Sequence, residues 1–275
     1  MNNFLNLHLK ELSMHFDYPE IELRALLNRA SSIDKEIFFS NFNIEQIDFQ
    51  IFKESFDRRV KKEPISKIFN SKEFWKYNFY VNKFVLDPRP ETELIIEKVL
   101  NYFPNKNKKL KILDLCTGSG CLAISLAKEY LNAKVTATDI SSQALKVAQI
   151  NSKKINCNNI KFIQCDLLDK ISKYDIVVSN PPYLSKLDYK NASDEIKLFE
   201  PKIALFAKNN GYEFYNRLAS LLPNIISKKS MIFIEIGHSQ AKKCIEIFES
   251  SKLKCLEIYK DYQNLDRGII LNKTW

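Results

Sequence analysis

Apolar residues recur at helical spacing through the first quarter of the chain. Leu5, Leu9 and Leu12 lie three or four positions apart, which places them on one face of a helix. Pro19 predicts the start of a second helix, because proline is favoured in the first helical turn. The segment 44–60 repeats the apolar spacing and is predicted to be helical, with its stripe facing a core. We therefore predict a helical domain over residues 1–71.

Aromatic residues alternate with polar ones in the segment that follows. Phe74, Tyr77 and Phe79 are typical of this stretch, and the alternation predicts a hairpin or a pair of short strands. The change of pattern also marks a boundary between domains. We predict a β-hairpin linker over residues 72–90.

Helical and strand patterns alternate over the rest of the chain, residues 91–275. We expect helices at 91–102, 121–130, 142–155 and around 212–222, and strands at 110–115, 134–139, 160–165, 174–179, 231–236, 254–259 and 268–271. Such alternation predicts an α/β domain in which helices cover both faces of a mostly parallel sheet.

Composition and charge narrow the class of protein without defining it. The 275 residues are 45% hydrophobic and 27% charged, as in ordinary globular proteins. The net charge of +9 is spread over dispersed lysines, so it favours an anionic partner only weakly. Six cysteines without a C-x-x-C pair predict neither a metal site nor a disulfide framework. With no signal-peptide pattern and no long apolar span, we expect a cytoplasmic protein that does not enter a membrane.

Glycine is rare in this chain, with five residues, and two of them lie together at Gly118 and Gly120. They follow the predicted strand 110–115 and precede a helix, where glycine lets a ligand approach the backbone. Asp139 ends the next strand and is placed to bind the hydroxyls of a ribose, although it could also cap a helix. Asp166 ends the third strand and could receive an adenine amino group or cap a turn. Together these residues predict an adenosine-containing ligand at one edge of the sheet.

The chemistry of this loop distinguishes among adenosine ligands. The chain has no G-x-x-x-x-G-K-[ST] motif, which argues against a nucleoside triphosphate, and no third glycine of a dinucleotide fingerprint. S-adenosylmethionine fits better, because it has an adenosine, no phosphate and a methionine tail that can lie against the glycine loop.

Asn180-Pro181-Pro182-Tyr183 follows the predicted buried strand 174–179. Prolines prevent the chain from pairing or coiling and remove N–H donors, so the local backbone offers mainly carbonyl acceptors. A carboxamide oxygen beside such a carbonyl can accept both hydrogens of one NH2 group. The tetrapeptide is therefore predicted to bind an amide or an aromatic amine, although Asn-Pro is also a common turn signal.

These motifs together resemble the PrmC/HemK family, the protein-(glutamine-N5) methyltransferases that act on peptide chain release factors. The resemblance covers nearly the whole chain. The matching stretches are Arg89-Pro90-Glu91-Thr92-Glu93, Asp114 through Gly120, Asn180 through Tyr183, Glu200-Pro201, Glu235-Ile236-Gly237 and Asp266-Arg267, with Pro64, Ile68 and Glu73-Phe74 upstream.

The resemblance implies a class I methyltransferase domain with a seven-stranded, mostly parallel sheet, preceded by a helical domain that docks the substrate. It implies S-adenosylmethionine as methyl donor, and as substrate the Gly-Gly-Gln glutamine of class 1 release factors. The expected catalytic and substrate-binding residues are Asn180, Pro181, Pro182 and Tyr183. The expected cofactor-binding residues are Thr117, Gly118, Ser119, Gly120, Cys121, Asp139, Asp166, Leu167 and Asn180.

Some positions depart from the family pattern. Lys67, Asn70 and Asn264 stand where Tyr, Gly and Gly are usual, and we expect Asn70 to keep the turn because asparagine tolerates a positive φ.

Two other functions remain open. An adenine-N6 methyltransferase would use the same tetrapeptide but should need clustered basic and aromatic residues, so we expect no direct nucleic-acid partner. A non-catalytic cofactor-binding protein is the other alternative, against which the intact Asn180 argues.

Overall fold

The computed structural model describes residues 3–32, 36–168 and 172–273. The chain divides into two compact units, Met1–Asn70 with Ser193–Phe199, and Ser71–Ala192 with Glu200–Trp275. The α-helices are α1 (Asn3–Leu12), α2 (Pro19–Ala30), α3 (Phe49–Val60), α4 (Ile65–Ile68), α5 (Pro90–Tyr102), α6 (Cys121–Glu129), α7 (Ser142–Lys154), α8 (Lys186–Asn191), α9 (Asp194–Phe199), α10 (Glu213–Ile225) and α11 (Ala241–Glu249). The strands are β1 (Lys72–Phe74), β2 (Tyr77–Phe79), β3 (Lys111–Leu115), β4 (Lys134–Asp139), β5 (Ile160–Gln164), β6 (Tyr174–Ser179), β7 (Ile226–Glu235), β8 (Leu253–Lys260) and β9 (Asp266–Lys273).

The first unit is helical, as its apolar spacing predicts, and its core comes from α1, α2 and α3. The segment predicted to be helical over 44–60 is divided, because Asp48 caps α3. Its Oδ1 accepts hydrogen bonds from the backbone N–H groups of Gln50 and Ile51, both at 3.0 Å. The residues Ile44–Gln46 form only a 3₁₀ turn. The sequence pattern alone did not locate this break.

Arg59 explains why a distant segment joins the first unit. Its guanidinium is buried, donates to Glu22 Oε2 at 2.6 Å and to Glu195 Oε1, and lies 3.9 Å from the centre of the Phe16 ring. Lys62 Nζ donates to Asp194 Oδ2 at 2.6 Å. These ion pairs, one of which includes the buried guanidinium of Arg59, hold α9 against α3. The sequence did not indicate this contact.

The second unit contains a sheet of seven strands in the order β5-β4-β3-β6-β7-β9-β8. Neighbouring strands from β5 to β7 are parallel, while β9 is antiparallel to both β7 and β8. Helices α5 and α6 pack on one face, and α10 and α11 pack on the other. The predicted α/β class with a mostly parallel sheet is confirmed, and the ends of β3 to β6 agree with the predicted ranges within one residue.

The central position of β3 determines where a site can form. Leu115 at the end of β3 lies beside Thr138 of β4 and Ser179 of β6, so three carboxyl ends are level. The chain runs from β3 outward to β4 and β5 and then returns to β6 on the other side of β3, so the direction of the strand order reverses here and a crevice opens at this edge.

The hairpin between the two predicted domains is also present, since β1 pairs antiparallel with β2. Asn70 has a φ of +50°, which confirms the expectation that asparagine keeps the turn there, and Asn264 has a φ of +62°.

Across the described residues, none of the helices combines the length and apolar character that crossing a membrane requires.

Candidate active site

A cavity of about 270 Å³ lies at the carboxyl ends of β3, β4 and β6. Its walls come from the loops that follow these strands, from the segment before α5 and from α10. Asp114, Asp139 and Asn180 line it. All of these residues belong to the second unit, so a single rigid sheet positions them.

Three of the five residues that follow β3 have a left-handed backbone conformation. Cys116, Gly118 and Gly120 have φ values of +62°, +54° and +81°. A Cβ built on Gly118 would meet no atom within 4 Å, whereas one on Gly120 would lie 3.0 Å from both Ala148 Cβ and Ile124 Cδ1. Gly118 therefore borders the open cavity, and Gly120 allows α6 and α7 to pack closely.

Asp114 is a buried carboxyl group with one oxygen left open. Its Oδ2 accepts hydrogen bonds from the Thr117 hydroxyl at 2.6 Å and from the Ala123 N–H at 3.2 Å. Among the described residues its Oδ1 has no partner, although the atom is buried. Burial raises the pKa of Asp114 to about 7. An unsatisfied buried carboxylate oxygen costs free energy, so this atom is suited to receive a donor from a ligand.

Asp139 connects the glycine loop to the start of α7. Its Oδ2 accepts from the Gly118 N–H and its Oδ1 from the Ser141 N–H, both at 2.9 Å. The cap of α7 is Ser141, whose Oγ accepts from Ala144 N–H at 3.1 Å. Burial raises the pKa of Asp139 above its ordinary value. Each carboxylate oxygen keeps a lone pair that hydroxyl donors can use.

Asp166 lies at the rim of the cavity and is more exposed than Asp139. Its Oδ1 accepts a hydrogen bond from Arg217 Nη2 at 2.6 Å, which forms an ion pair between the end of β5 and α10. Leu167, which follows, has a φ of +65° and borders the cavity as well. No signal in the sequence pointed to Arg217, because α10 gives only an amphipathic pattern.

Asn180 belongs to a chain of hydrogen bonds that runs into the core. Its Nδ2 donates to Thr92 Oγ1 at 3.1 Å, and the Thr92 hydroxyl donates to Glu235 Oε2 at 2.6 Å. The Tyr183 hydroxyl donates to Glu235 Oε1 at 3.3 Å. Thr92 and Glu235 are almost fully buried, and burial raises the pKa of Glu235 to about 7.

Most of the predicted site residues border the cavity, and a few do not. Those that line it are Thr117, Gly118, Ser119, Cys121, Asp139, Asp166, Leu167, Asn180 and Pro182. Gly120, Pro181 and Tyr183 are not among the residues that line it. The sequence did not assign a role to Glu235, although a carboxylate that ends a buried strand is the same signal that identified Asp139.

The stretch Arg89–Glu93 serves several contacts. Arg89 Nη2 donates to Glu200 Oε1 at 3.1 Å, and Glu200 also accepts from the Asp87 N–H. Glu93 Oε1 accepts from the Trp75 N–H at 2.8 Å, which attaches the β1–β2 hairpin to α5. Of these side chains, Thr92 is the one that is hydrogen-bonded to Asn180.

Comparisons with known proteins agree with this architecture. The family model described as "Methyltransferase small domain" matches residues 92–198. A solved structure of the ribosomal protein L11 methylase from Lactobacillus delbrueckii subsp. bulgaricus covers 71% of this chain and 84% of its own, with a TM-score of 0.52 and 19% identity. That similarity shows the fold alone. The fold is that of the class I S-adenosylmethionine-dependent methyltransferases.

Curated relatives define the family more closely. The release factor glutamine methyltransferase of Clostridium acetobutylicum is 34% identical over 269 residues, which cover 95% of this chain and 93% of the relative. The bifunctional methyltransferase of Rickettsia typhi is 37% identical over 273 residues, but the chain spans only 53% of that relative's length. The chain belongs to the PrmC/HemK family of release factor glutamine methyltransferases.

Proposed function

We propose that this protein transfers a methyl group from S-adenosylmethionine to the side-chain amide nitrogen, N5, of a glutamine. The substrate is the glutamine of the Gly-Gly-Gln motif in class 1 peptide chain release factors. One observation supports this most directly: Asn180 lines the cavity while its Nδ2 is engaged by Thr92. The polar atom that Asn180 offers a ligand is therefore its Oδ1, an acceptor.

The residues around the cavity fit the proposed methyl donor. Asp114 Oδ1 is a buried acceptor without a partner among the described residues, and it would receive the ammonium group of the methionine tail. Gly118 leaves open space beside the cavity, where a methionine tail would lie. Asp139 would accept hydrogen bonds from the ribose hydroxyls with its remaining lone pairs. Asp166 and Leu167 would border the adenine.

S-adenosylmethionine supplies a methyl group bonded to a positively charged sulfur, which is a good leaving group. The protein's task is to prepare the nucleophile, because the lone pair of an amide nitrogen is delocalised into its carbonyl. Asn180 Oδ1 and the Pro181 carbonyl would each accept one amide hydrogen and so orient the nitrogen. Tyr183 would pack against the planar amide.

Positioning of this kind can lower a barrier by several kcal/mol without a strong base. The amide nitrogen becomes acidic only as its bond to the methyl carbon forms, so the proton leaves after attack. Products are the N5-methylated glutamine, S-adenosylhomocysteine and one proton. The chain has three histidines, at positions 8, 15 and 238, and this mechanism uses none of them.

Methyl transfer from labelled S-adenosylmethionine tests the proposal. The purified protein is incubated with a class 1 release factor, with its Gln→Ala variant and with bulk DNA. Label on the unmodified release factor alone is the expected result. Label on DNA would support an adenine-N6 methyltransferase instead, and no label on any of them would support a non-catalytic binding protein.

Replacement of Asn180 tests the mechanism separately. The Asn180→Ala variant should lose transfer by roughly 10²-fold or more, because the amide nitrogen is no longer oriented. Binding of S-adenosylmethionine, measured by calorimetry, should stay close to that of the wild type. Near wild-type turnover of this variant would exclude the proposed role of Asn180.

A further inference from the structure

The hydrogen-bond chain from Asn180 to Glu235 joins three separate elements of the second unit. Asn180 follows β6, Thr92 lies in the first turn of α5, and Glu235 is the last residue of β7. The three side chains are 88 and 143 positions apart in sequence, counted from Thr92. Hydrogen bonds between residues so far apart in sequence do not arise from local turn geometry. Their presence therefore requires another explanation.

The directions of the hydrogen bonds follow from the chemistry of the groups. A carboxylate can only accept, and a hydroxyl has one hydrogen to donate. Because Thr92 gives its hydrogen to Glu235, its oxygen can only accept on the side that faces Asn180. Asn180 must therefore turn its NH2 group toward Thr92, and its Oδ1 must point the other way.

We infer that Glu235, acting through the Thr92 hydroxyl, is a positioning residue that sets the orientation of the Asn180 carboxamide. Without it, the carboxamide could present NH2 instead of oxygen to the substrate amide, and two donors would then face each other. The inference rests on the proposed function only for the identity of that substrate. The orientation itself is a property of the protein.

The surroundings of Glu235 favour its role as an acceptor. Both of its oxygens accept, one from Thr92 and one from Tyr183. Burial raises its pKa, the positive charge of Arg267 lowers it and the charge of Glu91 raises it, with a result of about 7. Other titratable groups that interact electrostatically with it include Tyr183, Tyr215, Tyr259 and Cys121. Assays at about pH 8.5 keep the carboxylate form dominant.

Reversal of the hydrogen-bond direction gives a sharp test. Asn180→Asp still offers an acceptor to the substrate amide, but it has no N–H to donate to Thr92. An aspartate oxygen would then face the Thr92 hydroxyl oxygen, so that two acceptors oppose each other. We expect this variant to retain at most about 1% of wild-type kcat. Its melting temperature should also fall by several degrees, since a buried acceptor loses its donor.

The second change, Glu235→Gln, should rescue the first. The NH2 group of glutamine can donate to Thr92 Oγ1, which frees the Thr92 hydrogen for the aspartate at position 180. The double variant should regain at least about tenfold in kcat over Asn180→Asp, because one hydrogen bond is restored. It should also recover most of the lost melting temperature.

Thr92→Val provides the matched control, because valine keeps the shape of threonine and lacks the hydroxyl. Added to the double variant, it should abolish both the rescue of kcat and the rescue of melting temperature. Rescue that survives Thr92→Val would show simple relief of charge repulsion and overturn the inference. Full activity of Asn180→Asp alone, or no rescue in either measurement, would overturn it as well.

The two measurements separate this inference from the proposed function. If the wild type fails to label a release factor, the proposed substrate is wrong. The melting temperatures of the single, double and triple variants still decide whether Glu235 orients Asn180, since they need no substrate.

Discussion

The two glycines of the loop after β3 should fail in different ways when each is replaced by alanine. At Gly120, φ is +81°, and a left-handed alanine costs about 1–2 kcal/mol. The new methyl group would also lie 3.0 Å from Ala148 Cβ and from Ile124 Cδ1. Overpacking of this kind costs about 1–3 kcal/mol. Gly120→Ala should therefore lower the free energy of unfolding by about 2–5 kcal/mol.

Gly118→Ala is the matched variant, because its φ of +54° carries the same backbone cost. Its methyl group meets no atom within 4 Å, so the loss of stability should stop at about 1–2 kcal/mol. That methyl group would enter the open space beside the cavity, so binding of S-adenosylmethionine should weaken markedly. Gly120 does not line the cavity, so the folded fraction of Gly120→Ala should bind normally.

Denaturant unfolding and calorimetric titration of S-adenosylmethionine measure the two effects independently. The reasoning requires the larger loss of stability at Gly120 and the larger loss of affinity at Gly118. Equal destabilisation by both variants would refute the packing argument. Normal affinity in Gly118→Ala would refute the placement of the methionine tail at this loop.

Three further predictions concern single side chains. Tyr259→Phe should leave the free energy of unfolding unchanged or raise it by about 1 kcal/mol, because its buried hydroxyl has no partner among the described residues; a clear loss in thermal unfolding would contradict this. Asp114 has a pKa raised to about 7, so its contribution to stability is present in acid and is lost as the pH rises through that value. Between about pH 5 and about pH 8, the melting temperature of the wild type should therefore fall relative to that of Asp114→Asn. Melting temperatures of the two proteins that change in parallel with pH would contradict the raised pKa. Asp48→Ala should cost about 1 kcal/mol, because the N–H groups of Gln50 and Ile51 lose their cap, whereas Asp48→Ser should cost less.

Local patterns predicted the strands of the large sheet and the helices α5, α6, α7 and α10, but they did not predict α8 or α11. The strand 174–179 has the predicted bounds, and the glycine loop lies where a strand meets a helix. These features are set by apolar runs and turn residues that lie within a few positions of one another. The fold class follows from the same alternation.

Interactions between distant residues could not be predicted in this way. Arg59 and Glu195 are 136 positions apart, and nothing near either residue indicates the other. Gly120 shows a related limit, because the sequence marks it as a special backbone position but does not tell whether it serves a ligand or helix packing. Glu235 could have been assigned from its place at the end of a strand, but its partner Thr92 could not.

The membership of Ser193–Phe199 in the first unit affects how the protein can be taken apart. A fragment that ends at Asn70 would lack α9 and with it the carboxylate of Glu195. Among the described residues, the guanidinium of Arg59 would then keep Glu22 as its one charged partner. Limited proteolysis after Asn70 should therefore not release a stable N-terminal piece. Separate study of that unit requires residues 193–199 to be grafted back through a linker.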